Sequence, residues 1–210
     1  MIYMAEKVNI SDLKFESYAD KTFKVFSGMI ADPENVFGLG SMAAENAANA
    51  AAMALRAVKK TASEDADMVK AEKDLETMRT YFVHLMDEEN KAKAPLEKRM
   101  KNNAADDEIE AGVRTACAIV DEVIYSTINV VEILNSVSDK ICPCVAHFAA
   151  AACFAARNAI ETARIQLAWR STQMLEAVYA RTTRREPEIA LEGVAPMIDE
   201  LIKKFEANIK

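Results

Sequence analysis

Between Leu13 and Ile30 the apolar side chains Leu13, Phe15, Tyr18, Phe23, Phe26 and Ile30 return mostly at steps of three to five residues, which predicts a short amphipathic helix with a break near Gly28. "ADPENVFGLG" reads as a loop. Ser41 is then expected to cap a second helix, because its hydroxyl can accept a bond from a free first-turn amide. That helix reaches about Lys60, where Lys59 and Lys60 suit the negative end of the dipole. A third helix is predicted from Glu64 to about Lys93, with Met68, Ala71, Leu75, Met78, Phe82 and Leu85 on one stripe and Pro95 marking its end. A fourth covers Ala105 to Val137 on the stripe Ile109, Val113, Ala116, Val120, Val123, Val130 and Leu134. Pro143 suits the first position of a fifth, running from Cys144 past Arg164 towards Arg184. Pro187 and Gly193 read as interruptions, and a final amphipathic helix over 195–208 opens at Pro196 and turns Met197, Leu201 and Phe205 inward.

No β-branched apolar run is flanked by turn signals, and no repeat of solenoid length appears. With only 5 Gly and 5 Pro in 210 residues, the expected fold is all-α: one domain over residues 1–210, a bundle of five to seven helices, several of them long, with no sheet. Two segments, Met42 to Ala57 and Ala146 to Ala163, present small residues on nearly all sides. Alanine brings little area, so close approach of the axes must compensate through dispersion contacts. Both helices are therefore expected to lie centrally, with at least one at a subunit interface.

The formal charge of −7 argues against a surface that tracks nucleic-acid phosphates or an anionic membrane, while leaving room for a small anion on a local Arg cluster. The longest small or apolar run, Phe148 to Ala156, is half of what a membrane span needs. Glu6 and Lys7 interrupt the N-terminus before a signal-peptide core can form, so a cytoplasmic location is expected, with Cys117, Cys142, Cys144 and Cys153 as thiols.

Several clusters carry chemistry on either of two readings. Gly38-Leu39-Gly40-Ser41 has no strand before it and no P-loop lysine, so it is a plain loop-to-helix turn or a rim where backbone amides meet a ligand. "ICPCVAH" offers Cys142, Cys144 and His147, but Cys153 points elsewhere and His84 is remote, so no metal is expected. Cys144 is either a small structural residue or a thiol activated in a first helical turn. His84, Asp87, Glu88 and Glu89 fan out over several faces of the third helix, as solvated charges or with one turned into a cleft as acid or base. Arg157, Glu161 and Arg164 are helical neighbours, which fits a stabilising ladder; Arg164 at an apolar boundary would also bind a carboxylate.

The order of parts, a helix, a Gly-rich turn ending in Ser, an Ala-rich helix, a long helix ending in acids, another long helix, and an Ala-rich helix ending in Arg164-Ile165-Gln166-Leu167, resembles the cyclodeaminase/cyclohydrolase family over about residues 13–170. That family includes the cyclodeaminase domain of formiminotransferase-cyclodeaminase and the related methenyltetrahydrofolate cyclohydrolases. Phe37-Gly38-Leu39-Gly40-Ser41 stands where the family has Pro-Gly-Gly-Gly-Ser, and Asp87-Glu88-Glu89 where it has an Asp-Glu-Asp-rich helix end. Pro143-Cys144 replaces Ser-Asp, while Thr162-Ala163-Arg164-Ile165-Gln166 replaces Asn-Val-Arg/Lys-Ile-Asn.

The resemblance implies a helical homodimer or larger homo-oligomer with a folate site near the subunit boundary. It implies a hydrolase or lyase acting on the 5,10-methenyl or 5-formimino bridge of tetrahydrofolate, with no metal. Gly38, Leu39, Gly40 and Ser41 would then form the pocket rim, Asp87 or Glu89 the base or cation stabiliser, Arg164 and Gln166 the substrate contacts, and Cys144, as a thiolate, the missing acid. The alternatives are the same scaffold binding another small molecule or acting through Cys144, and a non-catalytic oligomeric protein.

Overall fold

The computed structural model describes residues 17–32, 38–61 and 63–209, so Leu13 and Phe15 of the first predicted stripe lie outside the described residues. Six α-helices follow one another: α1 (Phe23–Ala31), α2 (Leu39–Thr61), α3 (Ala66–Lys101), α4 (Asp106–Ser136), α5 (Ala146–Ser171) and α6 (Ala177–Ala207). Two single 3-10 turns, Ser138–Lys140 and Pro143–Val145, join α4 to α5. No strand occurs among the described residues, as the all-α expectation required. None of these helices is long and apolar enough to cross a membrane.

Local chemistry sets several starts. The Asp65 carboxylate accepts from the amides of Asp67 and Met68 at 3.0 and 3.3 Å, a side-chain cap that satisfies donors α3 would otherwise leave open. Three acids, Asp106, Asp107 and Glu108, fill the first turn of α4, where the dipole favours them. Thr22 caps α1, which runs through Gly28 without the expected break.

The two alanine-rich helices form the centre. Ala43, Ala44, Ala47, Ala50, Ala51, Ala54 and Ala57 of α2 are fully buried, as are Ala149, Ala159 and Ala163 of α5. Of all helix pairs, α2 and α5 pack together most extensively, with α3 against the other side of α2. Volume comes from the surrounding helices: Leu75 and Phe82 of α3, Val113, Val120 and Val123 of α4, and Ile198, Leu201 and Phe205 of α6. Ser41 bonds to residues 86 and 89 of α3, and Thr61 Oγ1 accepts from the amide of Cys142 just before α5. Hence α2 runs antiparallel to both neighbours, and its glycine end lies beside the middle of α3 and the end of α5.

Three proline readings are corrected. The third helix does not stop before Pro95 but continues to Lys101. A helical proline loses one backbone bond and costs roughly 3 kcal/mol. Here Lys93, Pro95 and Leu96 are all buried, and that packing outweighs the local preference. Pro187 and Gly193 do not interrupt α6, nor does Pro196 open a separate helix; buried Thr183, Pro187, Val194 and Ile198 hold it as one rod.

The fifth helix stops at Ser171 instead of approaching Arg184. The Ser171 and Thr172 hydroxyls turn back to the carbonyls of Ala168 and Trp169, both at 2.7 Å, competing with helical continuation. Glu110 of α4 then accepts from the Leu175 amide at 2.7 Å and Arg114 pairs with Glu176, fixing the turn.

Candidate functional site

Ser41 is not the N-cap of α2. It lies inside the first turn, fully buried, and its hydroxyl stands 2.8 Å from Glu89 Oε2 and 2.9 Å from the Met86 carbonyl. Glu89 is 1% exposed, and its Oε1, also buried, has no hydrogen-bond partner among the described residues. The two glycines explain how this carboxylate fits. A Cβ on Gly38 would meet Glu89 Oε1 at 2.2 Å and Oε2 at 2.6 Å, and one on Gly40 would meet Glu89 Cγ at 2.7 Å and Val120 Cγ2 at 2.8 Å. No described glycine has positive φ, so close approach, not turn geometry, requires glycine here. The carboxylate sits against the start of α2, where the helix dipole favours negative charge.

Glu89, Lys93 and Glu97 recur one turn apart on α3, so they share a face. Arg170, from the last turn of α5, meets that face. Lys93 is 2% exposed and Arg170 1%. Burial pushes the Lys93 ammonium pKa down, while the charges of Glu89 and Glu97 oppose it. Burial also raises the Glu97 carboxyl, against the pull of Lys93 and Arg170. The Arg170 guanidinium donates from Nη1 to Gln173 Oε1 at 2.9 Å and lies 4.6 Å over the Trp169 ring. Its Nε and Nη2 are buried without hydrogen-bond partners among the described residues.

Two neighbours on α4 have shifted acidities. Burial drives the Cys117 thiol up to about 12, and burial with the nearby Glu186 charge drives the Asp121 carboxyl up to about 7. Chemically, the end of the bundle thus holds a buried carboxylate with one oxygen uncommitted, oriented by a serine and flanked by two cations. Such a group can take up a proton or stabilise a cation.

Of the residues singled out in the sequence, Gly38, Gly40, Ser41 and Glu89 are in mutual contact. Leu39 is exposed, and Gln166 is buried on α5, one turn before Arg170. Asp87 faces away from Glu89: its Oδ1 accepts from the amides of Tyr18 at 2.6 Å and Ala19 at 3.3 Å, fastening the segment before α1 to α3 and setting the Tyr18 ring 5.9 Å from Lys93 Nζ. Arg164 is half-buried and pairs with Glu161 at 2.9 Å. Arg157 turns instead to Asp199 of α6, at 2.5 Å.

Cys144 lies at the opposite end of α5, ~39 Å from Arg170 at about 1.5 Å per residue. It is exposed, and its amide donates to Cys142 Sγ at 3.4 Å. The Cys144 thiol and amide lower the Cys142 thiol, and Cys142 in turn raises that of Cys144. Nowhere among the described residues do three His, Cys, Asp or Glu side chains converge as a metal would require.

Sequence reading missed Lys93, Glu97 and Arg170. A signal was present: the Glu89-Lys93-Glu97 spacing places a cation between two acids on one face, and Arg170 continues the stripe Ala159, Ala163, Gln166.

No protein-family model matches the chain, and no curated protein matches it in sequence. Among solved structures, the formiminotetrahydrofolate cyclodeaminase of Thermotoga maritima superposes with a TM-score of 0.75, covering 90% of this chain and 96% of that one at 15% identity. What the two share is the fold.

Proposed function

We propose that the protein is a cyclodeaminase- or cyclohydrolase-type enzyme that acts on the 5,10-methenyl or 5-formimino one-carbon bridge of tetrahydrofolate. The observation that carries this reading is the Glu89 carboxylate, bonded to Ser41 beneath Gly38 and Gly40, within a fold shared with an enzyme of that chemistry. In the hydrolytic direction water oxygen bonds to the cationic amidinium carbon while Glu89 accepts one water proton, giving a carbinolamine; its carbon–nitrogen bond then breaks as the leaving nitrogen takes the proton back from Glu89 and the carbinol O–H releases its proton to solvent to become the formyl C=O. Before attack the same carboxylate favours the substrate's cation. Ser41 orients Glu89, the charges of Lys93 and Arg170 lie near it, and Arg164 and Gln166 contact the folate. Asp87 supports the site by tethering Tyr18.

The protein works in the cytoplasm as a homodimer or larger homo-oligomer, a reading supported by half-exposed Ile165 and Trp169 on the outer side of α5 beside the glycine end. The test of activity is direct. Purified protein is mixed with 5,10-methenyltetrahydrofolate under anaerobic reducing conditions, and loss of its near-ultraviolet absorbance is followed. Acceleration over buffer is expected; a rate equal to buffer contradicts the proposal.

A second reading, thiol chemistry at α5's other end, is favoured by exposed Cys144 and partly exposed Cys142, whose Sγ accepts from the Cys144 amide. It requires alkylation at neutral pH far faster than for an ordinary thiol.

A further inference from the structure

At the end of α5 remote from Glu89, Cys142, Pro143 and Cys144 form the turn that leads into the helix. We propose that this cysteine pair is a thiol–disulfide exchange site that takes an anionic low-molecular-weight disulfide, such as glutathione disulfide, and ends as an internal Cys142–Cys144 disulfide. The inference rests on the thiol reading given above and is independent of folate chemistry at Glu89.

The chain path brings the two sulfurs together. Cys142 stands immediately before the 3-10 turn Pro143–Val145, and its Sγ accepts from the Cys144 amide at 3.4 Å. Residues two apart across a helical turn have Cα atoms roughly 5 Å apart, inside the ~4.4–6.8 Å that a disulfide spans. The Cys142 amide donates to Thr61 Oγ1 at 3.0 Å, and the Thr61 hydroxyl donates to the Ala57 carbonyl at 2.9 Å. This anchors the turn to α2 and leaves Cys144 exposed and Cys142 half-buried. The two thiols differ in acidity: the Cys144 thiol and amide lower Cys142, and the same thiol–thiol bond raises Cys144. Cys142 is thus the attacking thiolate and Cys144 the resolving thiol.

The adjoining surface of α2 is cationic. Arg56 lies 4.3 Å over the Phe148 ring. Since α2 and α5 are antiparallel, Lys60, one turn after Arg56, falls beside Cys144, one turn before Phe148, and its charge pulls the Cys144 thiol down. Arg56, Lys59 and Lys60 line one recess of about 460 Å³ with no Asp or Glu in its wall. Lys59 has Glu72 at 3.9 Å, and the acids at the start of α3, Asp65 and Asp67, are held by Lys140 at 2.5 and 2.9 Å. Arg56 and Lys60 are therefore placed to meet the carboxylates of an anionic disulfide.

In the first step the Cys142 sulfur, its proton lost to solvent, bonds to one sulfur of glutathione disulfide. The sulfur–sulfur bond breaks, and the departing glutathione thiolate takes up a proton. In the second step the Cys144 sulfur, its proton also lost, bonds to Cys142 Sγ and expels the other glutathione, which is protonated in turn. Two cysteine thiols are oxidised by two electrons in all, and one disulfide is reduced to two thiols. An exposed disulfide of this kind is readily reduced again, so the pair cycles.

The test incubates the reduced full-length protein with glutathione disulfide under nitrogen, quenches with acid, and reads peptide masses after chymotryptic cleavage at Phe148, which separates Cys144 from Cys153. The peptide holding Cys142 and Cys144 is expected to lose two hydrogens and to regain them with dithiothreitol. Cys144→Ser should retain one glutathione on Cys142, and Cys142→Ser should react about tenfold more slowly. Replacing Arg56 and Lys60 together by Gln should slow glutathione disulfide about fivefold more than neutral hydroxyethyl disulfide at low salt. A pair that stays reduced, a glutathione adduct that persists on the wild type, or equal slowing of both probes would overturn the proposal. Iodoacetamide alkylation in parallel separates it from the thiol reading. Fast alkylation without an internal disulfide sinks the exchange site alone, whereas slow alkylation without exchange sinks both.

Discussion

At the residue scale, one carboxylate explains three sequence features. Gly38, Gly40 and Ser41 read as a turn or a rim because spacing alone does not reveal what approaches a glycine; the structure puts Glu89 there. Gly40→Ala would force its methyl to within 2.7 Å of Glu89 Cγ and 2.8 Å of Val120 Cγ2. Overpacking of this kind costs roughly 1–3 kcal/mol, so thermal denaturation should show a lowered midpoint, together with lost activity. Nothing lies within 4 Å of a Cβ at Gly28, so Gly28→Ala serves as the control and should not lose stability. The cysteines divide in the same way. Cys117 and Cys153 are buried with thiols pushed up to about 12, whereas Cys144 is exposed and Cys142 partly so. Iodoacetamide labelling of the native protein, read by peptide mass, should modify Cys142 and Cys144 and spare the other two until denaturant is added. Labelling of Cys117 first would contradict the burial described.

At the element scale, apolar periodicity located the long helices, and the alanine runs foretold the central α2/α5 pair. Proline punctuation misled, because a local penalty of a few kcal/mol is overridden when residues on both sides are buried against neighbours. Arg164 was likewise preferred to Arg170: both follow the alanine run, and only packing shows that Arg170 faces inward. The uninterrupted α6 makes its own prediction. Gly193 is exposed with open space around it, and Pro196 is exposed in mid-helix. Gly193→Ala should therefore stabilise by about 1 kcal/mol, and Pro196→Ala by up to about 3 kcal/mol, read as higher denaturant midpoints. A long fifth helix ending near Arg184 and a separate short one opening at Pro196, as the sequence suggested, would give little gain from Pro196→Ala, because proline is well placed at a helix start.

For the whole molecule, stability should depend on pH through Asp121. Its carboxyl is raised from 3.8 to about 7, so the folded state holds the proton more tightly than the unfolded chain does. That contribution is fully present below about pH 4, declines as pH rises towards 7, and is gone above. Asp121→Asn keeps the position neutral. Thermal midpoints of wild type and Asp121→Asn should differ more at pH 7.5 than at pH 5, with the variant relatively more stable at the higher pH; parallel curves would exclude this role.

The enzymatic reading concentrates on one atom pair, Glu89 and the carbon it is proposed to serve. Its most direct measurement is the single-turnover loss of 5,10-methenyltetrahydrofolate absorbance by wild type and by Glu89→Gln, each verified as folded by circular dichroism. The amide can still bond to Ser41 but is a far poorer proton acceptor, so the rate should fall by about a hundredfold or more. A folded Glu89→Gln protein that turns over the substrate at the wild-type rate would contradict the account.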